Sequence, residues 1–113
     1  MLLEMSLSIN LKYFPKELPV LEVSGELEVA STQRLEQAVE TLIQEGYTQI
    51  VLSMEDVDYM DSSGLRLLLE IRRKLMDSGG KLHVMNPSPR VLRVLSITRL
   101  LNSFSIVSKD SLQ

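Results

Sequence analysis

The run Met60-Asp61-Ser62-Ser63-Gly64-Leu65 places a carboxylate and two hydroxyls ahead of a glycine. A serine acts as a nucleophile only with a base and an orienting acid beside it. As a phosphate acceptor it needs little more than exposure. The segment before this run is apolar and strand-like, and the segment after it has helical spacing, so the turn falls at a helix N-terminus. Unpaired backbone N–H groups and the helix dipole make such a place hospitable to an anion. A phosphate there adds a charge of about −2. The rest of the chain offers little competing chemistry. Absent cysteine removes disulfides and thiolate metal sites. His83 is the single histidine. It lacks fellow ligands for a metal, and it is the sole base available to a hydrolase reading of Ser62, whose surroundings lack the Gly-x-Ser-x-Gly elbow. No catalytic residue, metal or cofactor is therefore assigned.

Bulk properties narrow the classes further. A chain of 113 residues suffices for one domain spanning residues 1–113. With 44% hydrophobic and 24% charged residues it has the composition of an ordinary globular protein. A net charge of −3 gives no electrostatic case for nucleic acid. Arg90, Arg93 and Arg99 are too few to change that and are expected to form a solvated face. No stretch approaches the roughly 20 apolar residues that span a bilayer. The opening Met1-Leu2-Leu3-Glu4-Met5 lacks the basic start of a signal peptide. A cytoplasmic protein without membrane insertion is expected.

Periodicity supplies the elements that must position the turn. Ser6 to Tyr13 alternates, with Leu7, Ile9, Leu11 and Tyr13 on the inward side, which predicts a half-buried strand. Phe14-Pro15-Lys16-Glu17 reads as a turn. Val20 to Glu26 returns as a second strand with Leu21 and Val23 inward, completing an antiparallel hairpin. Ser31 or Thr32 then caps a helix whose apolar face is Leu35, Ala38, Val39, Leu42 and Ile43, and Gly46 ends it. Thr48 to Ser53, with its run Ile50-Val51-Leu52, predicts a strand covered on both faces.

The second helix is predicted from Ser62 to Met76, capped by Asp61 and stopped by Gly79-Gly80. Leu65, Leu67, Leu68, Leu69, Ile71, Leu75 and Met76 cover roughly 200° of its circumference at about 100° per residue. That is wider than one buried stripe. Either part of the arc is open to a partner, or two layers bury it with Arg72 running between them. Lys81 to Asn86 is a further strand, in which His83 points opposite to Leu82 and Val84. Ser88-Pro89 starts a third helix, Phe104 to Val107 is a last short strand, and Ser108 to Gln113 is a frayed tail. The fold class is α/β: a mixed parallel and antiparallel sheet led by a β-hairpin and covered by amphipathic helices.

Taken in order, Val23-Ser24-Gly25-Glu26-Leu27, Ile50-Val51-Leu52, Tyr59-Met60-Asp61-Ser62-Ser63-Gly64-Leu65 and Gly79-Gly80-Lys81-Leu82 resemble the STAS-domain anti-sigma factor antagonists of bacteria. The resemblance covers nearly the whole chain. It implies a regulatory switch. The unmodified antagonist binds an anti-sigma factor that is also a serine kinase, and so releases a sigma factor. The kinase phosphorylates the first serine of the turn, which ends the interaction, and a PP2C-type phosphatase restores it. By position the acceptor is Ser62, with Ser63 the alternative, and Asp61, Ser63 and Gly64 form the rest of the phosphosite turn. Gly64 is expected to leave room for a partner backbone. The partner-binding set is Glu26, Glu28, Leu65 and Arg66. Two departures stand out: Glu28 where the family commonly has aspartate, and Arg66 and Glu70 where it often has small residues. Arg66 lies one turn from Ser62, within reach of a phosphate there or of Glu70.

Two other readings compete. One is a non-switching STAS scaffold subunit of a stress-sensing or ABC lipid-transport complex. The other is an acyl carrier, since Asp-Ser at a helix start also receives phosphopantetheine. The alternating strand Leu7-Ile9-Leu11-Tyr13 argues against an all-helical carrier.

Overall fold

The computed structural model describes residues 7–14 and 17–112. The expectations for Met1–Met5, Ser6, Pro15, Lys16 and Gln113 lie outside them. Strand β1 (Leu7–Phe14) pairs antiparallel with β2 (Leu18–Leu27), so the predicted hairpin is present. Helix α1 (Thr32–Gln44), β3 (Gln49–Met60), α2 (Ser62–Asp77), β4 (Lys81–Met85), α3 (Pro89–Ile97) and β5 (Ser105–Val107) follow. The strands lie in the order β1-β2-β3-β4-β5, parallel from β2 onward. Among the described residues no helix is long and apolar enough to cross a membrane.

One sheet face carries Leu21, Val23, Ile50, Leu52, Leu82 and Val84, which pack with the buried residues of all three helices. The other carries a smaller cluster of Val20, Val51 and Met85, covered by Phe14, Leu18, Val107 and Leu112. Ile50, Val51 and Leu52 are thus buried on both sides, as the apolar run predicts. Leu112 belongs to a 3-10 turn, Lys109–Leu112. The described part of the expected frayed tail is therefore ordered by the apolar cluster it joins.

Two details differ from the sequence reading, and one alternative it left open is decided. Leu11 and Tyr13 are 43% and 52% exposed, because β1 is an edge strand and only its Leu7 end lies beneath the helices. An α1 side chain secures that end: the Arg34 guanidinium donates to the Leu7 carbonyl. The wide arc of α2 is buried by two layers, the sheet and α1. Leu67, Leu68, Ile71 and Leu75 are buried, Leu65 and Leu69 pack partly against the core, and Met76 alone of the arc is exposed.

The largest difference is β3, which runs to Met60 rather than stopping at Ser53. Its register against β2 slips by one residue twice, from Glu22–Ser53 to Ser24–Asp56 and from Gly25–Val57 to Glu26–Tyr59. Each slip is a bulge with the extra residue on β3. Bulges break the two-residue alternation that reveals a strand in sequence. Beyond Ser53, β3 has no pairing with β4. The start of α3 takes that place: the Ser88 N–H donates to the Met54 carbonyl at 3.0 Å, and the Ser88 hydroxyl donates to the Val57 carbonyl at 2.6 Å. The same hydroxyl accepts from the Val91 N–H and caps α3.

Candidate functional site

The site lies where β3 ends and α2 begins. Asp61 has an extended backbone (φ −107°, ψ −168°) and is the N-cap. Its Oδ1 accepts from the Ser63 N–H at 2.9 Å and the Gly64 N–H at 3.3 Å. Its own N–H donates to the Leu27 carbonyl at 3.3 Å, which ties the turn to the end of β2. Ser62 is the first helical residue and its side chain is exposed, whereas Ser63 is half-buried. The hydroxyl at 62 is the one a visiting enzyme reaches more easily. Asp61→Ala removes the acceptor for two helix-start donors, and a cost of about 1 kcal/mol in urea denaturation is expected. Asp61→Asn keeps an acceptor oxygen and is expected to recover most of it.

Gly64 is buried, and its reason differs from the one expected. A Cβ there would lie 2.8 Å from the Leu27 carbonyl oxygen and 2.8 Å from Cγ of Met60. The backbone that approaches this glycine is the chain's own β2, not a partner's. Leu65 is half-buried against the core, so only part of it is available to a partner. Glu26 and Arg66 are exposed and Glu28 is half-buried.

Loop 28–31 completes the surface. Ser31 is the residue before α1, but its hydroxyl does not cap that helix. It is buried, donates to the Glu26 carbonyl at 2.7 Å and accepts from the Glu28 N–H at 3.1 Å. It thereby fixes a loop whose apex, Val29, is 72% exposed. Val29, Thr32 and Glu36 on one side and Ser63, Arg66, Leu67 and Glu70 on the other line a groove of about 210 Å³ beside the turn. Sequence reasoning missed Val29, and it offered Ser31 only as a cap of α1. The signal available was an apolar residue exposed in a turn, Leu27-Glu28-Val29-Ala30-Ser31. Also missed was Tyr59, 39% exposed near the end of β3, with the Arg90 guanidinium 5.0 Å from its ring centroid. Arg93 and Arg99 are exposed, as expected for a solvated face.

Residues 11–111 match the STAS domain family. The chain belongs to the STAS-domain anti-sigma factor antagonist family. An anti-sigma-B factor antagonist of Staphylococcus aureus is 34% identical over 80 residues, 71% of this chain and 74% of that protein. The Bacillus subtilis protein of the same name is 29% identical over 106 residues, 94% of this chain and 95% of that one. The solved structure of the anti-sigma factor antagonist SpoIIAA in its unphosphorylated form covers 92% of this chain and 91% of its own at 27% identity, with a TM-score of 0.77. SpoIIAA of Bacillus in its phosphorylated form covers 92% and 95% at 26% identity, with a TM-score of 0.71.

In this STAS chain His83 stands far from the turn. It lies opposite Val51 near the start of β3, roughly 30 Å from the end of that strand at about 3.3 Å per residue. It is thus not the base that a Ser62 nucleophile needs. Its ring bridges Ser105 (Nδ1 to Oγ, 2.9 Å) and Gln49 (Nε2 to Oε1, 3.0 Å), joining β3, β4 and β5. Burial holds its pKa below the usual imidazole value, and Lys81 adds to the effect. Below about pH 6.5 the unfolded chain takes up a proton that the folded ring resists. His83 therefore supports stability above that pH, and the support is lost as the pH falls through the folded-state value. In urea denaturation at pH 7.5 and pH 5, His83→Asn is expected to lose less stability between the two than the unsubstituted chain. Equal losses contradict the assignment.

Proposed function

We propose that this STAS antagonist is a binding module switched by phosphorylation of Ser62. Unmodified, it binds an anti-sigma factor that is also a serine kinase and so frees a sigma factor. Phosphorylated on Ser62, it releases that partner, and a PP2C-type phosphatase resets it. It acts in the cytoplasm. The observation that carries this reading is the exposed Ser62 hydroxyl at the first position of α2, on a turn held in shape by Asp61. The helix start tolerates the added anion. Asp61 and the exposed Asp58 and Asp56 oppose it, and a partner packed on an uncharged serine clashes with it. Glu26, Glu28, Leu65 and Arg66 are the proposed partner-facing set. The relatives from Staphylococcus aureus and Bacillus subtilis and the SpoIIAA structure carry the name anti-sigma factor antagonist, which favours this reading over a non-switching scaffold.

The test uses the anti-sigma factor and sigma factor of the same organism, purified as a complex. Addition of the unmodified chain is expected to release free sigma factor on size-exclusion chromatography. A complex that survives an excess of the chain contradicts the proposal.

A further inference from the structure

We propose that Arg66 is the residue that holds the phosphate on Ser62, forming an ion pair that exists only in the modified state. This rests on Ser62 being the acceptor. Ser62 and Arg66 are both exposed and stand one turn apart on α2, which places their Cβ atoms about 6 Å apart. Each Cα–Cβ bond of a helix tilts toward the N-terminus, so a long side chain at 66 runs back over the turn that carries 62.

Two carboxylates compete for the guanidinium. Glu70 lies one turn further along α2, and Glu36 faces it from α1 across the groove. Neither engages it. The ion pairs among the described residues are Lys12–Glu22, Arg73–Asp77 and Lys74–Glu40. A cation N-terminal to its anion at this spacing is the weaker order; Arg73–Asp77 pairs in that order all the same, while Arg66 and Glu70 do not. A phosphate at 62 reverses the order, with the anion first and the cation four residues later. It also brings about two charges and three acceptor oxygens, which a guanidinium fork meets in bidentate fashion. Among the described residues Arg66 is the one cation lining the groove, against Glu36 and Glu70 there and Asp61 beside the serine.

The test is a 31P NMR titration of the full chain with phosphoserine installed at position 62 during synthesis, so that no kinase is needed. A free phosphoserine has its second ionisation near pH 6. That ionisation is expected to lie about half a unit or more lower in the chain with Arg66 than in Arg66→Gln, roughly a threefold change in proton affinity, with Arg66→Lys between them. The difference is expected to shrink in 1 M salt. Superimposable titrations of Arg66 and Arg66→Gln chains, both folded by circular dichroism, overturn the proposal. Failure of a kinase to modify Ser62 counts against the switch and leaves this result untouched.

Discussion

Ser62→Asp is expected to bind the anti-sigma factor about 100-fold or more weakly than the unsubstituted chain, a loss of about 3 kcal/mol. The fold does not share that loss. Ser62 is exposed at the first position of α2, where a carboxylate interacts favourably with the helix dipole by about 0.3–1 kcal/mol. Thermal stability is therefore expected to hold or rise slightly while affinity falls. The penalty arises on docking. A new charge beside Asp61 must give up its hydration beneath the partner surface, at a cost of several kcal/mol unless a cation meets it. Ser62→Ala carries no charge and is expected to bind at least as well as the parent while refusing phosphate. Isothermal titration calorimetry separates the cases. Equal affinities for Ser62→Asp and the parent contradict a contact centred on this hydroxyl.

Gly80→Ala is expected to destabilise the chain by about 3 kcal/mol, at the upper end of what forced overpacking costs. A Cβ at 80 would lie 1.7 Å from the Thr48 carbonyl oxygen and 2.8 Å from the Thr48 Cβ. The carbonyl has no freedom to retreat, because it accepts from the Lys81 N–H at 2.9 Å and so fixes the start of β4 beside β3. The Gly80 N–H also donates to the Leu75 carbonyl at 2.7 Å, closing the end of α2. Gly79 is the control. It has a positive φ of 77° with open space around it, so Gly79→Ala incurs only the left-handed strain of about 1–2 kcal/mol. Urea denaturation of the two variants is expected to rank Gly80→Ala clearly below Gly79→Ala. The reverse ranking means that strain rather than contact limits this turn.

The two glycines also show what a sequence can reveal. Gly79-Gly80 reads as a helix stop, and it is one: Gly79 and Gly80 donate back to Met76 and Leu75. That Gly80 must also clear Thr48 is a contact between segments far apart in sequence, and no local pattern encodes it. The same division runs through the site. Asp61 as the cap of α2 and Ser88-Pro89 as the start of α3 were legible because capping is local chemistry with its own residue types. The hairpin was legible from its alternation.

The second half of β3 was not, because two bulges and the exposed residues Glu55, Asp56 and Asp58 mask its period. Ser31 looked like a helix cap by type and position, yet its hydroxyl serves the carbonyl of Glu26 and the N–H of Glu28. Gly64 looked like an opening for a partner and proved to be packed against Leu27 and Met60. The wide apolar arc of α2 was ambiguous because periodicity reports how much of a helix is apolar, not how many layers cover it.

The switch depends on the Ser62 hydroxyl receiving the phosphate. The most direct measurement is phosphosite mapping by mass spectrometry, after incubation of the chain with the anti-sigma factor kinase of its own organism and ATP. A single phosphate on Ser62, abolished in Ser62→Ala, is the predicted result. Phosphate on Ser63, or wild-type incorporation into Ser62→Ala, rules out Ser62 as the acceptor.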